Sequence, residues 1–441
     1  MRFHQRKAIL AAAAGAAIAF SLTGCTNPGS TTSQSSSSSA WSSPTQSLKG
    51  TTLTLWAAQS SNTEANSVIA GFEKATGATV KVVTIPDPYE QGVLTKIATG
   101  DKPDLALWQP TGSELTSVNA STNLQSLNGA PWASKYTGNL STLTGSLNGT
   151  RYAALVTAPA VEGVYYNKQD FAKAGITSDP TNFAGLVADA KKVKAAGITP
   201  FYDIGKDQWG TQYWIGVQTA DAAKAGLWQR VSENKEKFTD PTILGAIETY
   251  DGLIKEGLFN SDIKSGTFVE QGQEILSGQA AMAVQVPALL SEMQASSSTA
   301  KLNSTIGWFP ISESGTTGTY IPDQTNGVVA FKTGNSTQEA AARQFLAYWM
   351  GPGYASFVKA FSTVSIEKGV ATPSTVPEAL QSVAASLPTS AGSMQALAVA
   401  NPDLYIYLAD MIQGTKTSLQ VAQATQAQFA QLAKAEGVKG F

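Results

Sequence analysis

The sequence predicts an α/β fold with two successive halves, and three observations lead to this prediction. The chain has 441 residues, more than a single hydrophobic core of ~100–200 residues usually holds. Short apolar strands alternate with amphipathic helices from about residue 50, which is typical of a layered α/β architecture. The same alternation resumes near residue 180, without a repeat of fixed period.

In the first half, apolar segments predict three strands separated by two helices. The helices have apolar residues at every third or fourth position, and each is expected to end at a glycine, Gly77 or Gly100, because glycine readily takes the left-handed conformation that closes a helix. Strand, helix, strand, helix, strand predicts a parallel, doubly wound sheet. The predicted strands cover residues 53–57, 79–83 and 105–108.

In the second half, two Asp-Pro pairs predict helix starts, because aspartate is a good N-cap and proline suits the first helical position. Asp179-Pro180 opens a helix that should end at Gly197 and lead into a strand over 198–202. Asp240-Pro241 opens another that should end at Gly257. Further apolar periodicity predicts helices over 337–350, 404–413 and 417–434.

The N-terminus is predicted to be a lipoprotein signal peptide covering residues 1–24. Arg2, Arg6 and Lys7 precede an apolar run of fifteen residues over 8–22, which is short of the ~20 residues that span a bilayer. The run ends in Leu-Thr-Gly-Cys, which resembles the bacterial lipobox. That resemblance implies acylation of Cys25, and two or three acyl chains are enough for stable membrane attachment.

A linker is predicted to follow, so that residues 25–48 comprise the lipidated cysteine and a Ser-rich tether. From Thr26 to about Ser47 the chain is mostly Ser, Thr, Gln, Gly and Pro, a composition that buries too little apolar surface to fold. We therefore expect a body held on the extracytoplasmic face of a bacterial cell membrane, of the Gram-positive kind.

Composition excludes several classes of function. The only histidine is His4 and the only cysteine is Cys25, so a chain cleaved before Cys25 has no histidine for Ser-His-Asp or Cys-His catalysis or for metal ligation, and it can form no internal disulfide. Cleavage also removes three positive charges and changes the net charge from −2 to −5, which disfavours nucleic acid as a partner. We expect no cofactor and no metal.

Several segments carry a resemblance to a known family. The stretch LTLWAAQSSNTEANSVIAGFEKATGATVKVV, followed by KIATGDKPDLALWQ, resembles the opening lobe of family 1 extracellular solute-binding proteins, the maltose-binding-like receptors of ABC importers. VEGVYYNKQDFAKAGI, GQAAMAVQVP and TNGVVAFKTGN follow in that family's order. The resemblance runs from Lys49 to the C-terminus. It departs at Val286-Pro287-Ala288, where the family commonly has Gly-Pro-Trp, so one aromatic ligand contact is not expected here.

The resemblance implies a type II periplasmic-binding-protein-like fold, with two lobes, a hinge and a central cleft. The implied N-lobe is 50–158 plus 326–375, and the implied C-lobe is 159–325 plus 376–441. It also implies a monomer that binds a carbohydrate by hinge closure and delivers it to the permease subunits of an ABC transporter.

A sugar presents an apolar face and a rim of hydroxyl groups, so its site needs aromatic rings and bidentate polar side chains. Trp209 is the first choice for the aromatic platform, because it follows a strand end and a glycine turn. The resemblance implies that Trp108 stacks on or borders the ligand. It also implies that Glu162 is a ligand-binding carboxylate. The other expected ligand-binding residues are Gln59, Ser60, Gln109, Asp203, Asp207, Gln285, Asn326, Asp403 and Tyr405.

Alternatives remain open at this point. Asp203 or Asp207 could cap the next helix instead of binding a hydroxyl. A secreted glycoside hydrolase could use a carboxylate pair such as Glu162 and Asp207, because that chemistry needs no histidine. A solute-binding protein could instead take an amine, a peptide or a metal ion.

Overall fold

A computed structural model describes residues 41–86 and 89–441. The signal peptide, Cys25 and residues 26–40 of the linker lie outside the described residues. Within the described part of the chain, no helix combines the length and the apolar character that crossing a membrane requires.

The strands have mostly buried side chains and form two larger sheets and one small ribbon. In chain order they are β1 (Thr52–Ala58), β2 (Thr79–Ile85), β3 (Leu105–Leu107), β4 (Ser146–Leu147), β5 (Thr150–Arg151), β6 (Ala153–Leu155), β7 (Ala160–Asn167), β8 (Thr199–Phe201), β9 (Ala280–Gln285), β10 (Ile306–Phe309), β11 (Thr319–Ile321), β12 (Gly327–Ala330) and β13 (Ala391–Gly392).

The α-helices cover the sheets and link the strands. They are α1 (Asn66–Thr76), α2 (Tyr89–Ala98), α3 (Gly112–Ser117), α4 (Ala120–Asn123), α5 (Leu140–Leu143), α6 (Lys168–Lys173), α7 (Phe183–Ala195), α8 (Tyr213–Lys224), α9 (Leu227–Ser232), α10 (Pro241–Lys255), α11 (Phe268–Ser277), α12 (Ala288–Gln294), α13 (Thr299–Thr305), α14 (Ser336–Trp349), α15 (Tyr354–Phe361), α16 (Glu378–Ser386), α17 (Met394–Leu397), α18 (Leu404–Gln413) and α19 (Ser418–Ala435). Short 3₁₀ turns cover Ala133–Lys135, Trp209–Gln212, Gln324–Asn326 and Leu387–Thr389.

Two mixed sheets define two lobes. The first sheet has the order β2-β1-β3-β12-β6, and the second has the order β13-β11-β7-β9-β8 with β10 also paired to β7. The pairs β1–β2 and β1–β3 are parallel, as expected for the first half, whereas β12 runs antiparallel to β3 and β6. The α/β class and the two-lobed architecture are therefore confirmed, but neither sheet is purely parallel.

The chain passes between the two sheets more than once. Residues 156–159 lead from β6 to β7, and residues 322–326 lead from β11 back to β12. After β12, α14 packs against the first sheet, whereas α16 packs against β7 and β10 of the second. The exact lobe boundaries at residues 158, 325 and 375 stay predictions.

Each lobe has an aromatic core. In the first, Phe72 packs edge-to-face against Phe345, with ring centroids 5.1 Å apart. In the second, Trp214 stacks on Tyr250 at 5.6 Å. These rings are fully buried, so their apolar area stabilises the lobes in proportion to the surface removed from water.

Helix ends mostly follow the sequence signals, with one exception. Gly77 closes α1 in the left-handed conformation, at φ 74°, and Asp240 precedes α10 with proline in its first turn. The helix predicted to begin at Asp179-Pro180 instead begins after Asn182, whose side chain accepts a hydrogen bond from Gly185 N at 2.9 Å. Asp179 bonds the Tyr166 side chain, which leaves Asn182 as the cap.

The end of the linker is folded onto the body, contrary to the expectation of disorder as far as Ser47. Trp41 packs edge-to-face on Trp132 with ring centroids 4.9 Å apart. Gln344 Nε2 donates to Gln46 O at 2.7 Å, and Leu48 N donates to Thr76 O at 2.8 Å. Low apolar content misled the prediction, because Trp41 and Leu48 pack on the core and two hydrogen bonds hold the segment's backbone.

Candidate functional site

A cavity of about 450 Å³ lies where the connecting segments meet both sheets. Ser60 follows β1 of the first sheet, and residues 286–288 follow β9 of the second. Residues 157–160 and Asp323, Thr325 and Asn326, from the segments that connect the sheets, also line it, as do residues 361–364 at the end of α15 and three side chains of α16. The cavity thus receives side chains from both lobes, as a ligand site between lobes requires.

The turn before Trp209 has an unusual backbone. Gln208 lies in the left-handed region at φ 64° and ψ −53°, and Trp209 N donates to Asp207 O at 2.7 Å. A hydrogen bond across three residues with these angles defines a γ-turn, which is rare and strained. Backbone strain of this kind costs about 1–3 kcal/mol and persists where the surroundings hold it in place.

Three contacts hold this turn. Asp207 Oδ2 accepts a hydrogen bond from Phe268 N at 2.7 Å, which caps α11. The ring of Phe268 lies 4.9 Å from the Trp209 ring, and the ring of Tyr213 lies 6.0 Å from it. Trp209 is therefore fixed between two aromatic neighbours while remaining only half-buried. A partly exposed indole held in one orientation can offer its face to an apolar ligand surface.

The start of α18 lies next to this aromatic group. Asp403 accepts a hydrogen bond from Gln428 Nε2 at 2.6 Å and another from the Tyr405 side chain. Thr211 Oγ1 lies 3.4 Å from Tyr405 O, its acceptor. Asp207, Trp209, Asp403 and Tyr405 are thereby brought into one region of the second lobe.

The polar candidates of the first lobe meet the segment 322–326. Gln109 Nε2 donates to Pro322 O at 2.9 Å, and Ser60 Oγ accepts from Gln324 Nε2 at 3.2 Å. Gln59 is exposed beside Ser60. Of these three predicted residues, Ser60 lines the cavity, and Ser60 and Gln109 are bonded to the connecting segment.

Asn326 has a structural role in that segment. Its Nδ2 donates to Thr157 Oγ1 at 2.8 Å and to Ala158 O at 3.0 Å, and its Oδ1 accepts from Asp323 N at 2.6 Å. The side chain lines the cavity, but its hydrogen-bonding groups already serve the two connecting segments.

Four predicted ligand residues are internal, and the expectation of ligand contact needs correction for them in this conformation. Trp108 is 0% exposed, donates from Nε1 to Glu114 O at 3.1 Å and packs near Tyr89. Asp203 accepts from Tyr250 Oη at 2.5 Å and from Ile204 N at 2.8 Å, and burial raises its pKa to about 6. Segments from later in the chain cover the strand ends in both lobes. The position of a residue at a strand end therefore does not show whether it is accessible.

Gln285 and Glu162 complete this internal set. Gln285 is fully buried, and its Nε2 donates to Gln271 Oε1 at 3.1 Å. Glu162 is 2% exposed beneath α8, and burial raises the pKa of its carboxyl well above the ordinary value. A methyl group at Gly216 would overlap the Glu162 carboxylate, so α8 covers this side chain closely.

Sequence reasoning missed Phe268 and the acidic residues near the cavity. Phe268 follows Thr267, and Thr267 with Glu270 forms a capping box. The S/T-x-x-E signature could therefore have placed an aromatic residue at a helix start. Burial raises the pKa of Asp323, which lines the cavity, and it also raises that of Glu64, with the charge of Asp323 adding to the effect.

A family comparison covers most of this architecture. Residues 57–356 match the model of the bacterial extracellular solute-binding protein family. Among curated relatives, a binding protein of Brucella abortus is 27% identical over 204 residues, 44% of this chain and 46% of that protein. An ABC transporter extracellular-binding protein of Pyrococcus horikoshii is 26% identical over 138 residues, 31% of this chain and 30% of that protein. The matches thus span less than half the length of these relatives.

Solved structures share the fold across nearly the whole body. A chitin oligosaccharide binding protein has a TM-score of 0.71 at 20% identity, covering 87% of this chain and 99% of its own. RafE in complex with raffinose has a TM-score of 0.69 at 18% identity, covering 87% and 99%. At these identities the likeness shows the fold alone.

The family model covers residues on both sheets and on the connecting segments between them. The chain therefore belongs to the bacterial extracellular solute-binding proteins.

Proposed function

We propose that this receptor binds a carbohydrate between its two lobes and delivers it to the permease subunits of an ABC transporter. The observation that carries the proposal is the half-buried Trp209, which a strained turn and two aromatic neighbours hold in place. One of these neighbours, Tyr213, lies close enough to Asp323 of the cavity wall for the Asp323 charge to help raise its pKa. An indole held in this way suits the C–H face of a pyranose ring.

Polar groups in both lobes supply the second requirement. Ser60 lines the cavity, Gln59 precedes it, and Gln109 bonds Pro322 of the connecting segment. Asp207 and Tyr405 lie near the Trp209 turn in the second lobe. Amide, hydroxyl and carboxylate groups are the donors and acceptors that sugar hydroxyls need. Neighbours with the same fold are named for chitin oligosaccharide and raffinose, which supports a carbohydrate as the ligand class.

Closure of the lobes is the proposed mechanism. Ligand that contacts both lobes stabilises the closed state in proportion to its differential affinity. A shift from 1:99 to 99:1 needs about 5.5 kcal/mol, which one stacked ring and several hydroxyl contacts can supply. The receptor acts as a monomer, with residues 50–158 plus 326–375 and 159–325 plus 376–441 moving as its two lobes.

We further propose that lipidation at Cys25 attaches the protein to the outer face of a Gram-positive cell membrane. Cys25→Ser should release the protein into the medium or leave the signal peptide uncleaved. Mature variant retained in the membrane fraction would contradict the lipid anchor without affecting the ligand proposal.

The hydrolase alternative has weak support from the geometry. A glycosidase needs two carboxyl groups on opposite sides of one accessible bond. Glu162 is buried under α8, and Asp207 caps α11, so this pair does not face a common substrate site.

A calorimetric and thermal-shift panel tests the ligand class. The purified protein should be titrated with raffinose, chitin oligosaccharides and a set of mono- and oligosaccharides, with amino acids and short peptides as the contrasting arm. A carbohydrate that binds should raise the unfolding temperature through mass action. The same sugar should be recovered uncleaved. Binding confined to the amino-acid or peptide arm, or cleavage of an oligosaccharide, would overturn the proposal.

A further inference from the structure

A small cavity inside the second lobe contains polar groups that have no protein partner. Its volume is about 20 Å³, and its lining includes Glu162 of β7, Gln212 before α8, Trp228 of α9 and Gln395 of α17. Glu162 Oε2 and Trp228 Nε1 are buried and have no hydrogen-bond partner among the described residues. Both side chains are at least 97% removed from solvent.

The size and chemistry of this cavity suit one water molecule. A site needs roughly 10–15 Å³ of probe volume and two to four polar partners to hold a water. An indole N–H can only donate, and a carboxyl group can accept or, when protonated, donate. A metal cation fits poorly, because the indole N–H points positive charge at the site.

The cavity lies between elements that carry the proposed ligand site. Gln212 ends the turn that begins at Trp209, and its Oε1 accepts from Gln395 Nε2 at 2.6 Å. Gln395 belongs to α17, and α17 packs against α3 of the first lobe. Glu162 pairs with Thr319 across β7 and β11, and Thr319 Oγ1 donates to Gly216 O of α8 at 3.1 Å.

We propose that this cavity binds one water molecule between the Glu162 carboxyl and the Trp228 indole N–H, and that Glu162 is a positioning residue for the Trp209 turn and for α17. Buried polar groups left unpaired cost free energy, and one bridging water satisfies both groups. Glu162 then acts on the ligand site through α8 and the Gln212–Gln395 bond, without touching ligand. This second part rests on the proposed function; the water site does not.

The charge environment of Glu162 is simple. Burial is the cause that raises its pKa, and no lysine or arginine among the described residues lowers it. The titratable group that responds to it is Tyr213 of α8, whose pKa is raised mainly by burial and further by Glu162 and Asp323. Helices α9 and α17 face Glu162 with Trp228, Met394 and Gln395, and none of these side chains titrates.

Glu162→Gln and Glu162→Leu test the proposal on the purified protein. A crystal structure at about 1.5 Å should contain a water within hydrogen-bond distance of Glu162 and Trp228, and Glu162→Leu should expel it. Glu162→Gln keeps the polar contacts but cannot ionise, so it should raise the unfolding temperature relative to wild type at pH 8 and not at pH 5. A wild-type crystal structure without a water in this cavity would overturn the water site. An equal difference in unfolding temperature between Glu162→Gln and wild type at pH 5 and pH 8 would show that the Glu162 carboxyl is not held neutral.

Ligand affinity tests the positioning role separately. Glu162→Leu should weaken binding of a sugar that wild type binds by at least tenfold, while Glu162→Gln stays within about twofold. Equal affinity in Glu162→Leu would overturn the positioning role. If wild type binds no carbohydrate, the proposed function fails. The crystal structure and the pH dependence of the unfolding temperature still test the water site.

Discussion

The side-chain amide of Asn326 donates to Thr157 Oγ1 at 2.8 Å and so joins two segments that pass between the sheets. The same amide also bonds Ala158 O and Asp323 N. One buried side chain therefore sets the geometry of residues 156–159 relative to 322–326. Lobe movement must bend the chain around this junction or break it.

We expect Asn326→Ala to destabilise the protein by about 2–4 kcal/mol, because it removes the partner of Asp323 N and Ala158 O and one of the two partners of Thr157 Oγ1. Chemical denaturation measures the loss. Thr157→Val is the control: it removes the bond from Asn326 and the bond from Thr157 Oγ1 to Thr325 O, leaves Ala158 O and Asp323 N paired, and should cost about 1–2 kcal/mol. A loss for Asn326→Ala no larger than the control would contradict the junction.

Trp209→Ala should weaken carbohydrate binding by about 2–4 kcal/mol, roughly 30- to 1000-fold, as for a buried aromatic contact. The variant should unfold only slightly earlier, because Trp209 is half-buried. Trp108→Phe supplies the contrast. It removes the bond to Glu114 O in a fully buried site and should lower the unfolding temperature with little effect on affinity. Loss of affinity in Trp108→Phe but not in Trp209→Ala would indicate that Trp108, and not Trp209, is the aromatic residue that contacts the ligand.

Trp41→Ala should detach the segment 41–48 from the first lobe. The ring contact with Trp132 and its buried area contribute about 1–2 kcal/mol. Limited proteolysis should then cleave near Gln46 in the variant and spare the wild type, while Trp41→Phe keeps most of the protection. Identical digestion of wild type and Trp41→Ala would indicate that the backbone bonds alone hold this segment.

Gly216→Ala should destabilise by about 1–3 kcal/mol, because its methyl group overlaps the Glu162 carboxylate beneath α8. The matched control is Gly245→Ala in the middle of α10, where a methyl group meets nothing within 4 Å. That change should stabilise by about 0.5–1 kcal/mol. Destabilisation of the same size at both positions would point to helix geometry rather than to the Glu162 contact.

The contribution of Asp203 to the free energy of unfolding should fall as the pH rises. Its folded pKa of about 6 exceeds the ordinary 3.8, mainly because of burial, so its contribution to stability is present at low pH and is lost as pH rises through about 6. Asn does not ionise. The free-energy cost of Asp203→Asn should therefore be about 2 kcal/mol larger at pH 4 than at pH 8. A cost independent of pH would show that Asp203 does not titrate in this range.

Local patterns were sufficient for the class of fold and for the first three strands and the longer helices. Apolar periodicity, helix-closing glycines such as Gly77 and the alternation of strands with helices depend on residues close in sequence, and the structure reproduces them. Trp209 was also predictable as an aromatic residue at a strand end. The resemblance in motifs and order identified the family because those blocks are spread over both lobes.

The tertiary structure alone decided which candidates are accessible. Trp108, Asp203, Glu162 and Gln285 stand at strand ends or crossings that sequence reasoning expects to face a cleft, yet segments far away in the chain cover them. Asp203, for example, is closed off by Tyr250, 47 residues later. Burial depends on packing between distant elements, which leaves no local periodicity to detect. The sequence by itself determined the fold class and the family, whereas long-range packing decided which polar groups serve the interior and which remain for a ligand.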